Sequence, residues 1–215
     1  MANAAGYAAD WVRHVNQTLG RNVRYWEIGN ENYGPWQAGY MVEGEQITGT
    51  MYGEMFQVFA DSMKSADPSI QLGAVIYPLD EDYDDWTAGV LPEVQNHADF
   101  LIVHDYFTFS PNENNISYSQ MMASVSEVSE DAASVRSMVS QYTSKDPDHF
   151  ALAFTEFNSN TGNREVAMAN ALFIARVLLS QIEEGFDLSM IWNLQSGVAP
   201  DAVSYTHLTL PTIRL

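Results

Sequence analysis

The sequence predicts an α/β protein built on a parallel sheet, and more narrowly a (β/α)8 barrel. Three observations carry this. Short, nearly all-apolar segments alternate with longer segments of helical periodicity. The short segments are apolar throughout, not alternating, as strands covered on both faces are. Polar and aromatic residues gather just after those segments, at the strand ends where barrels of this kind carry their active sites. A doubly wound open sheet is the alternative architecture. No glycine-rich phosphate loop follows any strand, which argues against a nucleotide-binding version of it.

Taken in order, residues 4–19 read as a helix, with Ala8, Trp11, Val12 and Val15 at helical spacing and Gly20 as a stop. Residues 23–28 form the first strand, expected to be buried. Residues 30–49 are a long loop rich in Gly, Asn and aromatics. Residues 51–66 form an amphipathic helix with Tyr52, Met55, Phe56, Phe59, Ala60 and Met63 on one stripe, ended by Asp67-Pro68. Residues 71–76 are the second strand, 80–85 an acidic loop, and a short helix follows around 86–90. Residues 100–103 are the third strand, ending in His104-Asp105-Tyr106. A polar loop leads to one long helix over 118–142, with Met121, Val125, Val128, Ala132, Val135 and Val139 inside. Residues 150–155 are the fourth strand, ending in Glu156. Residues 164–184 form a strongly apolar helix closed by Gly185, and 188–192 the fifth strand.

At 215 residues, 46% hydrophobic and 12% aromatic, the chain is long and apolar enough for one domain with a substantial core. It has no cysteine, so disulfides and thiolate metal sites are excluded. A net charge of −19, from 28 acids against 9 bases, disfavours nucleic acid and anionic membrane surfaces as partners. A neutral oligo- or polysaccharide makes no charge demand. No run approaches the roughly 20 apolar residues of a membrane span. No signal peptide is visible, and the chain is expected to start partway into a fold. Both a secreted and a cytoplasmic bacterial protein fit, and the oligomeric state is open.

The chemistry concentrates in Trp26-Glu27-Ile28-Gly29-Asn30-Glu31-Asn32-Tyr33-Gly34-Pro35-Trp36. Here a strand gives way to a loop, with an acid beside an amide and two aromatics. A carboxyl supplies a proton, an amide binds a hydroxyl, and aromatic faces hold sugar rings. A second acid, Glu156, ends the fourth strand. Glu27, four residues before Glu31, lies roughly 13 Å back along an extended strand and is read as structural.

The first stretch resembles the acid/base strand of retaining glycoside hydrolases with a (β/α)8 barrel and two catalytic glutamates, with α-L-arabinofuranosidase-like families the nearest match. Phe154-Thr155-Glu156-Phe157-Asn158 resembles the nucleophile strand of the same clan. The resemblance implies that the five strands are strands four to eight of the barrel. Strands one to three would then be absent and the chain a fragment. Residues 1–202 are accordingly read as a partial barrel catalytic domain. Residues 203–215 resemble a translated sequencing adaptor, so His207 and Arg214 are given no function.

The resemblance also implies roles. Glu31 is the acid/base and Glu156 the nucleophile. Asn30 holds the sugar 2-hydroxyl, Tyr106 orients the nucleophile, and His104 lines the site. Trp192 is a sugar platform, Tyr33 and Trp36 are either subsite walls or loop packing, and Gln195 is a weaker binding candidate. Asp105, between His104 and Tyr106, is expected to face the other way. No metal ligand set and no cofactor are expected: the five histidines fall in separate segments. The acidic loop at 80–85 lacks a calcium-loop pattern. The activity expected is cleavage of O-glycosidic bonds in plant or algal polysaccharide. β-Xylosidases, agarases and other endo-glycanases of the clan are alternatives. A non-catalytic carbohydrate-binding fragment, or a chain inactive because its barrel cannot close, is another.

Overall fold

The computed structural model describes residues 2–79, 83–108, 116–161 and 167–192. Its five longer strands follow chain order in one sheet: β1 (Tyr25–Ile28), β4 (Gln71–Val75), β5 (Phe100–Asp105), β6 (Ala151–Phe157) and β7 (Leu188–Ile191). The resolved pairings are all parallel. Helices fill the crossovers: α2 (Gly49–Ala66), α3 (Trp86–Val94), α4 (Tyr118–Ala123), α5 (Glu127–Tyr142) and α6 (Met168–Glu183), with α1 (Ala2–Val12) ahead of β1. This is the topology of an incomplete (β/α)8 barrel, as expected. The chain divides into two compact units. One comprises residues up to Val103 together with Ala133–Leu152. The other comprises His104–Ala132 together with residues from Ala153 onward.

In the first unit, β4 and the start of β5 are buried on both faces, and all four residues from Leu72 to Val75 are inaccessible. That is why these strands carry no polar alternation. β1 differs from the expected buried strand. It is an edge strand with only Ile28 buried, and Tyr25 is 49% exposed. The stripe on α2 is confirmed in outline: Tyr52, Phe56, Ala60 and Met63 are buried. Thr48 caps its start by accepting from the Met51 N–H. Gly49 is required at the crossing with α3, because a Cβ there would collide with the Trp86 carbonyl.

The first helix departs from expectation at both its face and its end. Ala5, Ala9 and Val12 point inward, while Trp11 is 65% exposed and meets Trp26 edge-on. Residues Arg13–Thr18 widen into a π-helix. In that turn Asn16 bonds both the Val23 carbonyl and the Asp67 carboxylate, and Gln17 bonds the Ala66 carbonyl. The 30–49 loop also contains a small hairpin, β2 (Met41–Val42) with β3 (Glu45–Gln46). Glu43 and Gly44 both have positive φ, as a two-residue primed turn demands.

The helix expected over 118–142, whose residues from 133 on belong to the first unit, is broken within the second. A 3-10 turn at Ser124–Ser126 separates α4 from α5. Ser124 and Ser126 each donate to a carbonyl three residues back, competing with the helical ladder. The apolar face is as predicted, from Met121 to Val139. The helix expected over 164–184 is found as α6, with a face that its composition does not reveal. Its buried face carries Asn170, Phe173, Val177 and Gln181, whereas Leu172, Leu179 and Ile182 are exposed. Asn170 is tolerated inside because its Oδ1 accepts from the Ser159 hydroxyl at 2.7 Å. Among the described residues no helix is long and apolar enough to cross a membrane.

Candidate active site

The Glu31 loop belongs to the first unit. β1 ends at Ile28, and Gly29 turns the chain with φ +95°. A side chain at Gly29 would run into Asn32 and the Tyr52 ring, so the glycine is needed for both conformation and space. Asn32 Oδ1 then accepts from the Asn30 N–H at 3.0 Å, and Asn32 Nδ2 donates to the Ala38 carbonyl. Glu31 follows with φ +39°, an uncommon conformation for a non-glycine residue, and its carbonyl accepts from the Gly34 N–H. The Trp36 indole donates to Glu31 Oε2 at 2.5 Å, fixing where that carboxyl points.

Beneath this loop, the buried Tyr52 hydroxyl donates to the Ile28 carbonyl at 2.5 Å and accepts from the Val75 N–H at 2.9 Å. Burial pushes its phenol far above the usual range, so it remains a neutral donor. It pins the end of β1 to the end of β4. Tyr33 is buried and packs against Tyr77, Tyr83 and Trp86, while Trp36 stays 57% exposed. Tyr77 and Tyr83 were not singled out from the sequence. Their proximity to Trp36's neighbour Tyr33 arises from tertiary packing that leaves no local pattern. Asn30 is half-buried and Glu27 exposed.

The Glu156 cluster belongs to the second unit. Glu156 lies within β6, one residue earlier than the strand's end. The Tyr106 hydroxyl donates to Glu156 Oε2 at 3.0 Å. His104, at the end of β5, is buried. Its Nε2 is 3.0 Å from the Thr155 hydroxyl, and its Nδ1 lies 3.8 Å from Glu156 Oε2, close enough for an ion pair when the ring is protonated. So two residues read from the sequence do meet the expected nucleophile, and they do so from alternate positions of one chain segment. Asp105, between them, turns to α5, as strand alternation requires. Thr155 was not foreseen; its only signal is its place next to Glu156.

Trp192 is half-exposed just past β7. Its N–H donates to the Phe157 carbonyl at 3.0 Å, and its carbonyl accepts from Asn158 Nδ2 at 2.6 Å. These bonds hold its backbone against the end of β6 and leave the indole available. Gln195, residues 203–215 and part of the 80–85 acidic loop lie outside the described residues. Each unit therefore supplies a carboxylate that a hydrogen-bond donor orients: an indole for Glu31, a phenol for Glu156.

No protein-family model matches the chain. Among curated proteins, it is 32% identical over 94 residues to an intracellular exo-α-(1→5)-L-arabinofuranosidase of Acetivibrio thermocellus, covering 43% of this chain and 18% of that protein. It is 33% identical over 112 residues to the Bacillus subtilis intracellular exo-α-(1→5)-L-arabinofuranosidase 1, covering 51% and 21%. Among solved structures, the α-L-arabinofuranosidase of Thermotoga maritima superposes with a TM-score of 0.68 at 24% identity, over 88% of this chain and 41% of that one. A family 44 endoglucanase of Clostridium thermocellum superposes at 0.63 with 14% identity, over 90% and 46%. The chain thus spans about a fifth of the length of these curated relatives, and it shares the fold of the glycosidase structures over nearly all of its own length.

Proposed function

We propose that the chain carries the catalytic carboxylates of a retaining glycoside hydrolase acting on α-L-arabinofuranosyl linkages of oligo- or polysaccharides. The observation that carries this reading is the Glu156 arrangement. A carboxylate at the end of a barrel strand accepts a hydrogen bond from Tyr106, with His104 beside it. That donor engages Oε2 and sets the direction in which the carboxylate faces. The strand-end position of Glu31 in the same parallel fold, with an adjacent amide at Asn30, supports the second half. In such barrels the strand C-terminal ends share one face.

Glu31 donates its proton to the leaving oxygen while Glu156 attacks the anomeric carbon. The glycosidic C–O bond breaks as the glycosyl–Glu156 ester forms. Water then adds at that carbon, its proton passing to Glu31, and Glu156 departs as carboxylate. Asn30 binds the sugar 2-hydroxyl, a contact that strengthens as positive charge builds on the ring. Trp36 and Trp192 are exposed indoles suited to sugar faces, and Tyr33 supports Trp36 from below. The arabinofuranosyl preference is supported by the sequence matches, which are to arabinofuranosidases. An endo-glycanase is the second reading, favoured only by fold likeness at 12–14% identity.

The test is a pair of variants in an active preparation of this chain, or of a longer protein containing it. Glu156→Ala is expected to lower turnover by about 10⁴-fold or more on every glycoside. Glu31→Ala should largely spare glycosylation by an aryl arabinofuranoside with a good leaving group, and azide should rescue the second step. Equal, complete loss in both variants on that substrate contradicts the assigned roles.

A further inference from the structure

Directly behind Tyr106 lies a cluster of acids that the proposed reaction does not use. Asp131, on α5, is 4% exposed, and its Oδ2 has no hydrogen-bond partner. Its carboxyl lies within hydrogen-bonding reach of the Asp105 carboxyl. Asp105 in turn accepts from the Phe107 N–H at 3.0 Å and from the Tyr106 N–H. These bonds close the turn that takes the chain out of β5. At that turn Phe107 adopts φ +45°, and its ring packs among Phe154, Phe157 and Phe173. The other charged groups acting on Asp131 are Glu127 and Glu130 of its own helix, both acidic.

Two carboxylates within hydrogen-bonding reach of one another, Asp131 buried and Asp105 half-buried, cannot both be ionised at low cost. A divalent cation would resolve the conflict, but among the described residues this cluster does not bring three ligand atoms within coordinating distance. A proton resolves it with the atoms present. The proton belongs on Asp131, which is buried among acids, and not on Asp105, whose oxygen is engaged by two backbone donors. A protonated Asp131 also gives Asp105 a third donor.

We propose that Asp105 and Asp131 share one proton between their neighbouring carboxyls, and that this pair is the positioning element that holds the Tyr106 turn in place. The pair keeps the backbone of Tyr106 in the conformation from which its hydroxyl reaches Glu156. Only that last link rests on the proposed function; the shared proton does not. Burial, then the Asp105 charge, push Asp131 up to about 9, and burial also raises Asp105. The sign follows. A raised carboxyl holds its proton in the folded state after the unfolded chain has released it. Its contribution to stability is full below about pH 4 and is lost progressively as pH rises to about 9.

The test uses the whole chain with carbonyl-labelled aspartate, read by infrared and carbon NMR titration. The expected result is one protonated aspartyl carboxyl at pH 7 that ionises near pH 9 and is absent in Asp131→Asn. The Tyr106 ring-carbon signal, assigned with Tyr106→Phe, should shift with that ionisation. It should stay fixed across the same range in Asp131→Asn, which supplies a neutral donor, and keep titrating in the control Glu130→Gln. A spectrum with every aspartate ionised at pH 7 overturns the shared proton. Where Asp131→Asn fails to fold, this wild-type spectrum alone decides. A Tyr106 signal indifferent to the ionisation overturns the positioning role, and rigid stabilisation by millimolar calcium with loss of the protonated band would assign the cluster to a cation instead. Inactivity toward an aryl arabinofuranoside would count against the proposed glycosidase while leaving these readings untouched.

Discussion

The two carboxylates are held in different ways. Glu31 sits beyond its strand, in a loop residue with positive φ, and its oriented oxygen depends on an indole that is itself more than half exposed. Glu156 sits inside its strand and is oriented by a phenol, with a buried imidazole beside it. A loop-borne acid can shift its environment as a leaving group enters and departs. The strand-borne carboxylate stands at a register shift between Phe154 and Phe157, flanked by buried Thr155 and Phe157, and this buried setting suits a group that must meet one carbon at one angle. On the proposed roles, the comparison separates an adjustable proton donor from a fixed nucleophile.

Breaking the orienting bond of the fixed group should cost most. Tyr106→Phe removes a hydrogen bond to a charged acceptor, worth about 1.5–3 kcal/mol. On steady-state kinetics with an aryl arabinofuranoside, turnover should fall about 10- to 100-fold with KM little changed. A loss confined to KM would make Tyr106 a substrate contact and not an orienter. The next largest effect lies under the Glu31 loop. Tyr52→Phe strands the buried Val75 N–H and Ile28 carbonyl, and chemical denaturation should register a loss of about 1–3 kcal/mol. No loss would mean that the end of β1 is held by other bonds. The smallest effect belongs to the exposed donor. Trp36→Phe should cost about 0.5–1.5 kcal/mol in transition-state stabilisation, less than Tyr106→Phe. The reverse order would erase the distinction between the two carboxylates.

Much of the fold was legible because of burial. Strands covered on both faces, such as Phe100-Leu101-Ile102-Val103, have no choice but to be apolar. The face of a helix was less legible where the helix is apolar nearly all round. In α6, Leu172 and Phe173 look alike in sequence, yet one is exposed and the other buried. The break at Ser124–Ser126 was hidden because its residues keep the apolar spacing of an uninterrupted helix while their hydroxyls compete for carbonyls. β1 and β7 read as ordinary strands because apolar content does not reveal which strand lies at an edge.

The candidate site divides along the same line. Glu31, Glu156, His104 and Tyr106 could be picked out because each stands where a strand ends, a position the pattern of apolar runs defines. Thr155, Tyr83 and Asp131 could not. Thr155 matters through a histidine 51 positions away, and Asp131 through a carboxyl on another element. Residues that act by contact with distant partners carry no mark in their neighbours along the chain.

The most direct measurement is covalent labelling of an active preparation with a mechanism-based arabinofuranosidase inhibitor that traps the glycosyl-enzyme, followed by peptide mass spectrometry. The account predicts a single label on Glu156, and none on Glu31 or Glu27. A label on another carboxylate, or turnover that proceeds with no trapped ester, would contradict it.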